Sequence, residues 1–67
     1  MKYLIKAVVG ENLLATGINE GTSINACICG FQWMVANNGY EDSHIIDVTS
    51  VPDDDDTYGP IIEMAVL

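Results

Sequence analysis

Arginine is absent from this 67-residue chain, and Lys2 and Lys6 are its only lysines against ten acidic residues. A protein that grips nucleic acid needs cationic side chains for the phosphates, so direct nucleic-acid binding is excluded and anionic membranes and nucleotides are poor partners. Histidine occurs once, at His44, and cysteine twice, at Cys27 and Cys29. Residues two apart on a helix point about 200° away from each other, so the cysteines neither bridge nor share a metal, and zinc has too few ligands. No apolar run approaches the roughly 20 residues of a membrane-spanning helix. The phosphate-binding loop is missing too: GENLLATG (10–17) lacks the lysine and the following hydroxyl.

These gaps also leave little for catalysis. Ser43 adjoins His44, but neighbouring side chains on a strand point to opposite faces. A Cys29–His44 pair has no supporting motif. The run Asp53–Asp56 lacks the spaced ligands, the central glycine and the closing glutamate of a calcium loop. The expectation is a protein with no catalytic residue, no metal and no cofactor. The opening MKYLIKAVVG sets a charge before apolar residues, but Lys6 interrupts the run and no small-residue cleavage site follows, so it reads as a strand. Cytoplasmic location is expected, and the two cysteines fit a reducing compartment.

What remains is apolar and acidic. Hydrophobic residues make up 49% of a chain with formal net charge −8. That content argues against disorder and for one small domain over 1–67, of a size often helped by oligomerisation. Ser23 to Gly39, SINACICGFQWMVANNG, reads as the one helix. Ser23 caps its start, with Thr22 as fallback, and Asn38-Gly39 supplies a left-handed exit. At about 100° per residue, Ile24, Cys27, Ile28, Phe31, Met34 and Val35 form a core-facing stripe.

The back of the helix carries Ala26, Cys29, Gly30, Trp33 and Ala36, and no charged residue lies between Gly21 and Tyr40. A solvated helix face normally carries charge. Either residues 11–21 fold over Trp33, or another chain packs there, with Ala26 and Gly30 permitting close approach and Trp33 as the anchor. Cys27 reads as a core residue; Cys29 is either covered with Trp33 or a free thiol.

Strands are expected at 2–9, with Tyr3, Ile5, Ala7 and Val9 toward the helix, and at 44–51, with Ile46 and Val48 inward and Asp47 and Thr49 outward. Pro52 ends the second and Pro60 opens a third at 61–67, with Ile62, Met64 and Val66 inward. Leu13–Ile18 is either a short strand or an irregular lid. The order is then β-α-β-β, an α+β domain with one helix packed on a small mixed or antiparallel sheet. The first two strands would be parallel across the helix, and a hairpin over 53–59 would turn the third back. That third strand sits either between the first two, with Glu63 beside Lys6, or at an outer edge. The sheet's other face, with Leu4, Val8, Ile45, Val51, Ile61 and Leu67, is more apolar than a solvated face requires.

The aspartate run reads either as a solvated, aggregation-blocking tip or as a charge mimic of a nucleic-acid backbone. A tiny, arginine-free, acidic chain beginning MKYLIKAVV, with one helix and a few strands, resembles the small inhibitors that phages encode, anti-CRISPR proteins in particular. The resemblance covers size, element order and charge. It implies a non-catalytic inhibitor in the host cytoplasm that occupies a basic, nucleic-acid-binding surface on a protein complex. The residues expected to do so are Asp53, Asp54, Asp55, Asp56, Glu41 and Asp42 for charge, with Tyr58 and Trp33 as aromatic anchors. The alternative is a homodimeric structural or assembly module joined through the Trp33 face.

Overall fold

The computed structural model describes residues 1–10 and 13–54 together with the backbone of 63–66. Strand β1 (Lys2–Val9) alternates as its sequence requires: Ile5, Ala7 and Val9 are fully buried, whereas Leu4, Lys6 and Val8 on the opposite side are half-buried. Gly10 turns the chain at φ 60°, a left-handed conformation cheapest for glycine. The chain then returns as β2 (Leu13–Glu20), antiparallel to β1 over its whole length, from Val9 opposite Leu13 to Lys2 opposite Glu20. Backbone bonds between Met1 and Gly21 extend this ladder by one rung, at 3.0 and 3.1 Å.

Helix α1 (Ile24–Asn37) follows at once. Ser23 is extended and its Oγ accepts from the Ala26 amide at 3.1 Å, which satisfies one of the orphan donors of the first turn. The far end closes as a Schellman motif: Gly39, at φ 98°, donates to the Ala36 carbonyl and Tyr40 donates to that of Val35. Asn38 itself stays outside the left-handed region, at φ −90°, and its side chain caps the Met34 carbonyl at 2.8 Å. Tyr40 then packs against the core, which fixes the chain's departure from the helix.

Strand β3 (Ser43–Val51) runs antiparallel to β1 on the side away from β2. The short β4 (Glu63–Val66) pairs antiparallel with β2, giving the order β3-β1-β2-β4. The fold is α+β and compact, with one helix against one face of an antiparallel sheet. Cys27, Phe31 and Val35 from the helix meet Ile5, Ala7, Val9 and Ala15 from β1 and β2, all with no exposed surface. Ile28, Met34, Ile45 and Val48 line the rim of this core.

Several expectations change. The order is β-β-α-β-β, not β-α-β-β, because Leu13–Glu20 is a full strand and not a lid. The helix therefore links β2 to β3, which run the same way on either side of β1, so β1 and β3 are antiparallel and not parallel. The strand at 63–66 takes an outer edge beside β2, opposite to β3, so these two strands form no hairpin. Glu63 consequently pairs with Thr16, while Lys6 stands opposite Asp47.

Ile46 is exposed (52%), and Ile45 takes the inward position expected of it. The register shifts between Lys6 and Ala7, which leaves Ile46 as the extra residue of a bulge that inverts the alternation of 43–45 relative to 47–51. Val48 is inward as expected, with Asp47 and Thr49 exposed. Ile24 is exposed as well (43%). Helix side chains lean toward the N-terminus, so a first-turn residue covers space ahead of the helix instead of the sheet beneath it. Ile61, Ile62 and Leu67 lie outside the described residues, and Met64 and Val66 pair with Ala15 and Leu13 through the backbone.

Candidate functional site

The outward side of α1 is an uncharged surface built around one aromatic. Because the stripe Cys27–Phe31–Val35 must face the sheet, residues half a turn away are forced outward: Ala26, Cys29, Trp33 and Ala36 are all exposed. Trp33 leaves 69% of its surface in solvent. The expected cover by residues 11–21 is not there, since the described part of that segment is committed to the sheet as β2. Cys29 is a free, exposed thiol and Cys27 a free, buried one.

Gly30 does not belong to this surface. A Cβ built on it would lie 2.6 Å from Asn19 Nδ2, and that amide donates to the Cys27 carbonyl at 2.8 Å. Gly30 is thus the seat on which the β2 side chain reaches the helix backbone, and it serves the helix–sheet contact instead of a partner's approach. A Cβ built on Gly21 would likewise be crowded, 3.2–3.3 Å from Cys27 and Ala26 atoms.

The expected charged residues fall into two groups at opposite ends of the sheet. Glu41 and Asp42 are exposed and precede the end of β3 that pairs with Val9. Asp53 and Asp54 are exposed and follow the end that pairs with Lys2. A strand rises about 3.3 Å per residue, so the groups stand roughly 30 Å apart and do not form a single patch. Asp53 Oδ1 lies 3.7 Å from the Met1 amine, a solvent-exposed contact, and Glu20 is exposed at the same end. Asp55, Asp56 and Tyr58 lie outside the described residues.

The helix bridges these groups. Its capped start follows Gly21, which pairs with Met1 near Asp53, and its exit leads through Tyr40 to Glu41 and Asp42. A 14-residue helix is about 21 Å long. Trp33 therefore sits on an uncharged strip with carboxylates beyond both ends. At the exit, Gly10, Gly39, Tyr40, Glu41 and Asp42 line a shallow open cleft.

Among the described residues, the groups that the sequence offered for chemistry do not come together. Cys29 lies on the outer side of the helix and His44 on the sheet face turned away from it, so the sheet stands between them. Ser43 and His44 alternate to opposite faces of β3, opposite Val9 and Val8. Among the described residues, no three His, Cys, Asp or Glu side chains converge as metal ligands, and no helix is long and apolar enough to cross a membrane.

Two structural features escaped the sequence reading. The Asn19–Gly30 contact left only one local trace, a glycine inside a helix where it costs stability without a packing reason. The pairing of Lys6 with Asp47 required the strand order, which no local pattern carries. No protein-family model, curated protein or solved structure matches the chain.

Proposed function

We propose that the protein is a non-enzymatic inhibitor or regulator that acts by contact, seating the Trp33 face of α1 in a partner protein. The observation that carries this is the 69% exposure of Trp33 on a helix side without charge. Exposed tryptophan among small residues is the composition of an interface centre, where aromatic anchors supply most of the binding energy. The carboxylates beyond the helix ends form the rim, and they select a partner whose apolar cleft is bordered by lysine or arginine. Surfaces that hold nucleic acid are of this kind. An acidic protein on such a surface displaces the nucleic acid without binding any itself, the mode of action expected of a phage-encoded, anti-CRISPR-type inhibitor in the host cytoplasm.

The same charges disfavour a homodimer through Trp33. Antiparallel pairing of two such helices sets the Asp53–Asp54 end of one copy beside the Glu41–Asp42 end of the other, acid against acid.

The test is an affinity capture from bacterial lysate with three baits: the wild type, Trp33→Glu, and Asp53→Lys with Asp54→Lys. A basic protein retained by the wild type, released by salt and lost with either variant supports the reading. Equal capture by all three baits removes it.

A further inference from the structure

Helix α1 ends on Asn38-Gly39, with Gly39 in the left-handed conformation that closes the last turn. The same pair carries a chemical liability. Asn12, Asn19, Asn25 and Asn37 precede leucine, glutamate, alanine and asparagine, and only Asn38 precedes glycine. A glycine amide nitrogen has no Cβ beside it, so it is the backbone nucleophile that most easily reaches the side-chain carbonyl of the residue before it. Asn38 and Gly39 are both exposed, so water and hydroxide have access to them.

Three features of the cap hold that attack back. Closing a succinimide ring requires Cβ of Asn38 and the Gly39 nitrogen on the same side of the Cα–C bond. At ψ 8° the Asn38 backbone nitrogen eclipses the Gly39 nitrogen instead, and Cβ stands a third of a turn away. The Gly39 N–H is committed to the Ala36 carbonyl at 3.0 Å. The side-chain nitrogen that would have to leave, Nδ2, donates to the Met34 carbonyl at 2.8 Å. Attacking group, leaving group and torsion are all fixed by the helix exit, so the reaction waits for that exit to open. Terminal turns are among the least stable parts of a fold.

We infer that Asn38 is a modification site, deamidated through openings of the helix exit and locked by the cap between them. In the open state hydroxide removes the Gly39 amide proton and the nitrogen attacks Cγ of Asn38. The new C–N bond forms, the Cγ–Nδ2 bond breaks, and ammonia leaves with a proton taken from water. A water molecule then opens the succinimide, at Cγ to give aspartate or at the main-chain carbonyl to give isoaspartate. Neither product restores the cap. A carboxylate has no N–H to donate to the Met34 carbonyl, and it sets a negative charge at the negative end of the helix dipole. Isoaspartate also adds a methylene to the main chain, which displaces the bonds from Gly39 and Tyr40 that close the helix. The new carboxylate joins Glu41 and Asp42 at the exit end of the Trp33 strip. Because ammonia is lost, the change runs one way.

Peptide mapping by mass spectrometry of the full chain, incubated at mildly alkaline pH in buffer and in guanidinium chloride, tests this. Asn38 should convert first among the asparagines in both conditions, to aspartate and isoaspartate together. In buffer it should convert about tenfold or more slowly, since two hydrogen bonds must open before the ring can close. Asn38→Asp supplies one product directly, and it should melt about 4–8 °C below the wild type, the shift of one lost cap in a domain this size. If Asn38→Asp does not fold, the comparison of rates still decides the matter. Equal rates in the two conditions overturn the inference, as does earlier conversion of another asparagine. So does an Asn38 still intact in buffer after a hundred half-times of the denatured sample, or an Asn38→Asp chain as stable as the wild type.

Discussion

Replacing Gly30 with alanine should leave stability nearly unchanged, although the same substitution at an ordinary helix position is stabilising. Alanine exceeds glycine by about 1 kcal/mol in a helix interior. At Gly30, however, the new Cβ would stand 2.6 Å from Asn19 Nδ2. The amide has to swing away, which sacrifices its 2.8 Å bond to the Cys27 carbonyl. A side-chain hydrogen bond of this kind contributes about 0.5–1.5 kcal/mol net, so gain and loss cancel. Asn19→Ala alone should cost about 1 kcal/mol, again by loss of that bond. In the Asn19→Ala background, Gly30→Ala should recover its full propensity gain of about 1 kcal/mol. The double-mutant cycle then reports a coupling of about 1 kcal/mol, read by urea denaturation followed by circular dichroism. For a domain of this size that corresponds to a midpoint shift of about 4–8 °C in a thermal melt. If Gly30→Ala stabilises both backgrounds by the same amount, the two residues do not touch and the helix–sheet seat described for them is wrong.

Two further outcomes follow from the backbone and the thiols. Gly39→Ala should destabilise by about 1 kcal/mol, because φ 98° places a Cβ in a strained left-handed conformation although the space around it is open; equilibrium unfolding measures it. A thiol reagent should modify one cysteine in the native protein, the exposed Cys29, and reach the buried Cys27 only on unfolding. Rapid modification of both in the folded state would contradict the placement of Cys27 beneath the helix.

The parts of the fold that the sequence makes legible are those written in local chemistry. Ile5, Ala7 and Val9 recur at every second position, Ser23 and Gly39 punctuate the helix, and Cys27, Phe31 and Val35 share a stripe, so β1 and α1 follow from side-chain period and capping. Leu13–Glu20 hides because its inward positions are Leu13, Ala15, Gly17 and Asn19: one aliphatic, two small residues and an amide. They are small or polar for a reason, since Asn19 must reach the helix carbonyl, but that reason lies across the fold. Without an apolar alternation the segment resembles a loop. Ile45 and Ile46 were exchanged because a single extra residue in a bulge breaks the period of two, and two adjacent isoleucines offer no hint of which is extra.

The site was legible to a similar degree. A stretch from Gly21 to Tyr40 without charge marks an uncharged helix face, and Trp33 stands exposed on it. The grouping of the carboxylates was not legible. Glu41-Asp42 and Asp53-Asp54 are close in sequence, yet a nine-residue strand stands between them and separates them by its own length. Proximity in sequence becomes distance in space whenever the intervening segment is extended.

The most direct test of the contact mechanism is the affinity of the purified, captured partner for the wild type and for Trp33→Ala, measured by titration calorimetry at 50 and 300 mM salt. A central aromatic anchor contributes about 2 kcal/mol or more, so Trp33→Ala should weaken binding by roughly thirtyfold or more at either salt. The acidic rim should weaken both complexes further as salt rises. A Trp33→Ala protein that binds as tightly as the wild type would contradict the account, because it would mean that the exposed tryptophan is not where the partner sits.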